Sequence, residues 1–144
     1  MALEPIPVYT GFRSGVAGLA YNEAAFGLFL SVERRRAEQS SRPVVLVLVS
    51  AQCTAGRRAT IEPAAAGALF TRLGTAVREV DFVGWYREGR VAAAVLTQQT
   101  APPDDVCERV ADRVKRALSS GQLHADMPPL RVRVMCLRGK KAER

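Results

Sequence analysis

Few side chains in this 144-residue chain are suited to nucleophilic or metal-dependent catalysis. There is one histidine, His124, and there are three cysteines, Cys53, Cys107 and Cys136. A Ser/His/Asp or Cys/His arrangement would have to use His124, which we interpret as a loop residue because glycine, aspartate and proline lie around it. An odd number of cysteines with no Cys-x-x-Cys pair indicates neither a disulfide framework nor a zinc site. We therefore expect no metal site, no cofactor and free thiols in a reducing compartment.

The positive charge of the chain is concentrated near its C-terminus. The formal net charge is +7, and residues 131–144 hold six basic residues and one acid. The remaining body is close to neutral, whereas a nucleic-acid surface usually shows a basic stripe interleaved with aromatic residues. The longest apolar runs, such as 44–49, are far shorter than the ~20 residues that cross a bilayer. We expect a cytoplasmic protein with no nucleic-acid partner and no membrane span.

Three helices are predicted to position the remaining polar residues. The first covers residues 22–39, with Asn22 as its N-cap and apolar side chains on one face. The second begins at Thr60 or Glu62, just before a proline that suits a first helical turn. Asp104 or Asp105 is the predicted N-cap of the third helix.

Four strands are predicted between and after these helices. Residues 44–49 form a continuous β-branched run, which is typical of a central strand buried on both faces. Residues 82–86 and 91–96 are two short runs around Gly89, which can adopt the positive φ that a hairpin turn requires. Residues 130–136 alternate between apolar and polar side chains, so we expect a strand with one solvent-exposed face.

The order of these elements predicts the fold class. An N-terminal helix followed by β-α-β-β-α-β gives an α+β domain of the ferredoxin-like arrangement, with an antiparallel-containing sheet. We assign residues 1–21 to an irregular N-terminal lead-in, 22–137 to the domain, and 138–144 to a basic C-terminal tail or linker.

The hairpin and the helix before it carry a family resemblance. From Arg78 to Val91 the sequence reads Arg-Glu-Val-Asp-Phe-Val-Gly-Trp-Tyr-Arg-Glu-Gly-Arg-Val. With the flanking helix and strand, this stretch resembles the centre of GGDEF domains, the diguanylate cyclases of bacterial cyclic-di-GMP signalling. The resemblance covers about residues 22–137 and implies the nucleotide-cyclase version of the ferredoxin-like fold. The family's signature turn falls on residues 87–91.

The resemblance also shows which catalytic residues are missing. Condensing two GTP molecules requires metal-bound triphosphates, and such metals need hard oxygen ligands, usually carboxylates on adjacent strands. One family acid directly follows the first strand, where this chain has Ser50. Another lies in the signature turn, where this chain has Gly89 and Arg90. We therefore expect a degenerate GGDEF-like domain that is not an enzyme.

Two further family features differ in this sequence. The two signature glycines correspond to Arg87 and Glu88, whose side chains would obstruct an approaching phosphate. The guanine-reading segment expected between residues 50 and 66 is absent. Glu88 could act as a metal ligand after a one-residue shift of the turn, but one carboxylate is too few.

One family element is present at the matching spacing. Arg78-x-x-Asp81 lies five residues ahead of the turn, where many GGDEF domains have an inhibitory site for cyclic-di-GMP. A guanidinium can bind guanine O6 and N7 or a phosphate, and a carboxylate can accept from guanine N1 and N2. Arg87 or Arg90 could add phosphate contacts. The alternative is that Arg78 and Asp81 form a simple ion pair, or that Asp81 caps the entry to the strand.

Two functions therefore remain open. The first is a catalytically inactive regulatory domain that binds cyclic-di-GMP through Arg78 and Asp81 and passes the ligand state to a protein partner. The second is a ligand-free dimerisation or scaffold domain of a larger signalling or exopolysaccharide-synthesis protein. In either case we expect a protein partner or a homodimer.

Overall fold

The computed structural model describes residues 13–14, 18–40, 42–52, 60–78, 81–97, 103–119 and 129–137. In chain order the elements are β1 (Arg13–Ser14), β2 (Gly18–Tyr21), α1 (Glu23–Ser40), β3 (Val44–Ala51), α2 (Pro63–Thr75), β4 (Phe82–Arg87), β5 (Val91–Leu96), α3 (Pro103–Ser119) and β6 (Leu130–Leu137). The strands form one mixed sheet in the order β1-β2-β4-β5-β3-β6. From β3 onward this is the predicted β-α-β-β-α-β arrangement, so the predicted α+β fold class is confirmed.

Strand β3 is the central strand that its β-branched run predicts. It pairs antiparallel with β5 on one side and with β6 on the other, and Val47 lies opposite both Ala94 and Val134. Four consecutive residues, 44–47, are buried. Side chains on both faces of β3 therefore contribute to the core.

Helices cover both faces of the sheet. On one face α2 and α3 enclose the larger core. In it the rings of Phe70 and Trp85 pack edge to face, with their centroids 5.1 Å apart. On the other face α1 packs through Phe26 and Leu30. The centroids of the Phe26 and Phe82 rings are 5.5 Å apart. Edge-to-face contacts suit the charge distribution of aromatic rings. The sheet is therefore packed on both of its faces.

The predicted hairpin is confirmed. Strands β4 and β5 pair antiparallel, and Gly89 in the turn has φ 75°. An irregularity between Trp85 and Arg87 shifts the register just before the turn. The Gly89 carbonyl accepts a hydrogen bond from the Ile61 backbone N–H at 2.8 Å, which holds the turn beside the start of α2.

The irregular lead-in predicted for residues 1–21 is wrong at its end. Residues 18–21 form β2, which pairs parallel with β4 so that Tyr21 lies opposite Gly84. A Cβ at Gly84 would lie 2.6 Å from the Tyr21 carbonyl oxygen, so only glycine permits this approach. The four residues of β2 are too few to show a strand period in the sequence. The domain therefore includes residues N-terminal to position 22.

The helix starts test the predicted caps. Asn22 caps α1 as predicted, because its Oδ1 accepts a hydrogen bond from the Ala25 backbone N–H at 2.8 Å. Helix α2 begins at Pro63 after Glu62. The predicted caps Asp104 and Asp105 are wrong, since α3 already begins at Pro103, a residue well suited to the first helical position. No helix in the described ranges is long and apolar enough to span a lipid bilayer.

Candidate functional site

The two polar clusters identified in the sequence lie at opposite ends of β4. Arg78 and Asp81 precede the strand, and the hairpin turn follows it. Six residues of extended strand separate the clusters by roughly 20 Å. One small ligand group therefore cannot contact both clusters.

Asp81 and Arg78 form a two-pronged ion pair at the start of β4. Asp81 Oδ2 accepts hydrogen bonds from the Arg78 backbone N–H at 2.8 Å and from its Nε at 3.1 Å. Asp81 Oδ1 accepts from Arg78 Nη2 at 3.1 Å. Two parallel bonds between guanidinium and carboxylate fix the orientation of both groups.

Thr97, directly after β5, completes this cluster. Its backbone N–H donates to Asp81 Oδ1 at 3.0 Å, and its carbonyl accepts from Arg78 Nη2. The pair therefore fastens the start of β4 to the end of β5. The Asp81 side chain is fully buried, whereas the Arg78 side chain is 49% exposed. Both carboxylate oxygens accept hydrogen bonds, and of the two side chains only that of Arg78 is exposed to solvent.

The hairpin turn contacts a residue from α1. Glu23 Oε1 accepts a hydrogen bond from the Glu88 backbone N–H at 2.8 Å, and its Oε2 lies 3.9 Å from Arg87 Nη1. The Arg87 guanidinium also lies over the Tyr86 ring, 4.5 Å from its centre, where a cation–π attraction operates. The Arg87 and Glu88 side chains are exposed at the turn.

The end of β3 lies beside this turn. Ser50 lies opposite Val91 of β5 and opposite Arg131 of β6. The fold thus brings together the strand end and the turn on which the resemblance places two metal-binding acids, and the residues there are Ser50, Gly89 and Arg90. Within the described ranges no three His, Cys, Asp or Glu side chains form a group that could hold a metal ion.

Of the remaining candidate residues, the structure describes Cys107 and Cys136. Cys107 on α3 and Cys136 on β6 are both half-buried. His124, Cys53 and the basic tail of residues 138–144 lie outside the described residues.

Sequence reasoning missed Glu23 and Thr97. Glu23 is acidic in the first turn of α1, which by itself indicates only a favourable interaction with the helix dipole. Thr97 contributes backbone atoms, so its side-chain type carries no signal. Both contacts join residues that are distant in sequence, and only the assembled sheet shows them.

Comparisons with known proteins were made at the levels of sequence and structure. No protein-family model matches the sequence, and the search of curated proteins finds no relative. Several solved structures are similar in fold. The GGDEF domain of FimX from Pseudomonas aeruginosa has a TM-score of 0.66 at 14% identity, covering 91% of this chain and 83% of that one. The GGDEF domain of DgcB from Caulobacter crescentus, in complex with cyclic-di-GMP, has a TM-score of 0.59 at 13% identity, with 94% and 77% covered.

A third similar structure contains a second protein. It is the diguanylate cyclase SiaD from Pseudomonas aeruginosa in complex with its activator SiaC, with a TM-score of 0.64 at 18% identity. The match covers 92% of this chain and 52% of that one, so this chain spans about half of SiaD's length. The chain therefore has the fold of GGDEF diguanylate cyclase domains, which confirms the fold implied by the hairpin resemblance.

Proposed function

We propose that this chain is a catalytically inactive GGDEF-like regulatory domain that acts by binding a partner. The observation that carries the proposal is the composition of the juxtaposed strand end and turn. Ser50, Gly89 and Arg90 occupy the positions where metal-binding acids are expected, and the two places are adjacent in the sheet.

The chemistry of phosphoryl transfer supports this proposal. Metal ions neutralise the charge that develops on the phosphates, and Mg²⁺ requires oxygen ligands in near-octahedral geometry. Arg90 brings positive charge to the turn and would repel a divalent cation. Glu88 is the one acid in the turn, and its backbone N–H is bound by Glu23. A single exposed carboxylate supplies too few ligands.

Binding of Mn²⁺ in the presence of GTP tests the missing metal site. Electron paramagnetic resonance of Mn²⁺ should give the same spectrum with GTP alone and with GTP plus protein. A protein-dependent signal that disappears in Glu88→Ala and persists in the exposed α3 variant Glu108→Ala would refute the proposal.

Cyclic-di-GMP binding is a second candidate, and the exposure of Arg78 favours it. The contacts with Asp81 and with the Thr97 carbonyl use Nε and Nη2 of the half-exposed Arg78 side chain, which leaves Nη1 to donate to guanine O6 or N7 or to a phosphate. In this candidate Arg78 contacts the ligand, whereas Asp81 reaches guanine only after giving up bonds to Arg78 or Thr97. The solved DgcB domain was crystallised with this dinucleotide.

Calorimetric titration with cyclic-di-GMP tests this candidate. Micromolar binding is expected if Arg78 contacts the dinucleotide, and Arg78→Ala should abolish it. Arg109→Ala, which removes an exposed arginine on α3, is the matched control and should retain binding. Absence of heat with folded protein would eliminate the candidate.

The alternative is a ligand-free dimerisation or scaffold domain, and the saturated carboxylate of Asp81 favours it. Four hydrogen bonds to Asp81 give that residue a complete structural role. The activator complex of SiaD is an example of a protein with this fold assembled with another protein. We place such a domain in a larger cytoplasmic signalling or exopolysaccharide-synthesis protein.

A further inference from the structure

The outer edge of β6 has the features of a peptide-docking surface. β6 is an eight-residue strand at the end of the sheet, and it pairs with β3 along its whole length. Among the described strands none pairs with its other edge. Such an edge presents a row of backbone donors and acceptors that an extended segment can use.

The two faces of β6 differ in chemistry. Arg131, Arg133 and Met135 are exposed and lie on the α1 side of the sheet, since their partners on β3 are Ser50, Leu48 and Leu46, of which the two leucines join the core beneath α1. Val132 and Val134 are half-buried and pack against the core under α2 and α3. A strand added to this edge would therefore meet arginines on one face and valines on the other.

The charge at this edge decides between possible occupants. No acidic side chain in the described ranges forms an ion pair with Arg131 or Arg133. If β6 strands of two copies paired antiparallel about Arg133, the two Arg133 side chains would lie opposite each other, which is destabilising. A shift of the register by one pair would still leave them diagonal neighbours. The arginines thus disfavour a second copy and favour an acidic segment.

We propose that the β6 edge binds an extended acidic segment of a partner protein as an additional strand. The segment alternates acidic residues, which face Arg131 and Arg133, with small apolar residues, which extend the surface of Val132 and Val134. Backbone hydrogen bonds supply the affinity, and the alternation supplies the specificity. This inference rests on the proposed regulatory role and identifies the partner's chemistry.

A synthetic peptide of eight alternating Glu and Val residues, extended by a fluorophore, is the probe. Fluorescence anisotropy should detect saturable binding to the full chain, and amide exchange at β6 should slow on binding. The double variant Arg131→Glu/Arg133→Glu should weaken binding by at least about tenfold. The matched control Lys115→Glu/Arg116→Glu changes the net charge equally on exposed positions of α3 and should retain binding.

Two further probes separate strand addition from simple charge attraction. The same peptide with alternate backbone amides N-methylated cannot complete the strand ladder and should not bind. Equal binding of that peptide, of a scrambled Glu/Val peptide or of duplex DNA would overturn the proposal, as would self-association of the chain through β6. Failure of the peptide removes only this surface, whereas protein-bound Mn²⁺–GTP would refute the proposed function.

Discussion

The charged residues at the two ends of β4 differ in burial. At the start of the strand, the Asp81 carboxylate is buried and receives bonds from Arg78 and from the Thr97 backbone. At the other end, Arg87 and Glu23 form a pair at 3.9 Å in which both side chains are about half exposed. The first arrangement connects two strands within the fold, and the second lies at the surface.

The two pairs therefore differ in their contribution to stability: the buried Asp81 carboxylate is part of the fold, whereas Arg87 and Glu23 are exposed to solvent. The Asp81 carboxylate stabilises the junction of β4 and β5, because it is the acceptor of the hydrogen bond from the Thr97 N–H. An exposed pair near 4 Å contributes little to stability. At the turn end, the Glu23 carboxylate accepts from the Glu88 N–H and lies near the Arg87 guanidinium. Each prediction below tests that contrast.

The largest effect is expected from Asp81→Ala. This change removes the buried acceptor of four hydrogen bonds, which come from Arg78 and from the Thr97 N–H. The free energy of unfolding should fall by about 2–4 kcal/mol, as measured by urea denaturation. Asp112→Ala, at an exposed α3 position, should change it by less than about 0.5 kcal/mol. Equal effects of the two variants would remove the structural role of Asp81.

An intermediate effect is expected in the turn from Gly89→Ala. Nothing lies within 4 Å of a Cβ at Gly89, so the cost arises from the positive φ alone. The free energy of unfolding should fall by about 1 kcal/mol. Gly27→Ala has equally open surroundings within α1 and should raise stability by about 0.5–1 kcal/mol. Thermal or urea unfolding should therefore show stability changes of opposite sign for the same Gly-to-Ala substitution at the two positions.

The smallest effect is expected from Glu23→Gln. The amide oxygen can still accept from the Glu88 N–H, while the ion pair with Arg87 is lost. The free energy of unfolding should fall by less than about 1 kcal/mol. Amide exchange at Glu88 should change little in this variant and should accelerate clearly in Glu23→Ala. Equal acceleration in both would show that charge, and not the hydrogen bond, holds the turn.

Local patterns predicted much of the fold. The alternation of β6, the continuous apolar run of β3 and the glycine of the hairpin each act within a few residues, and all three predictions are confirmed. The strand β2 was missed because four residues carry too little periodicity, and its formation depends on a distant partner, β4.

Some features of the candidate site could be predicted from the sequence, and others could not. The absence of an acid at Ser50, Gly89 and Arg90 could be seen in the sequence once the resemblance had placed those positions. The pairing of Arg78 with Asp81 was one of two open alternatives, and the structure brings the two side chains together. The burial of Asp81 and its bond to Thr97 could not be predicted, because they depend on how the end of β5 meets the start of β4.

Turnover of GTP is the measurement that tests the central claim most directly. Purified chain incubated with GTP and Mg²⁺ or Mn²⁺, with products separated by mass-detected chromatography, should yield no cyclic dinucleotide, while a diguanylate cyclase of this fold assayed in parallel should yield it. Formation of cyclic-di-GMP by this chain, abolished in Glu88→Ala and retained in Glu108→Ala, would contradict the account.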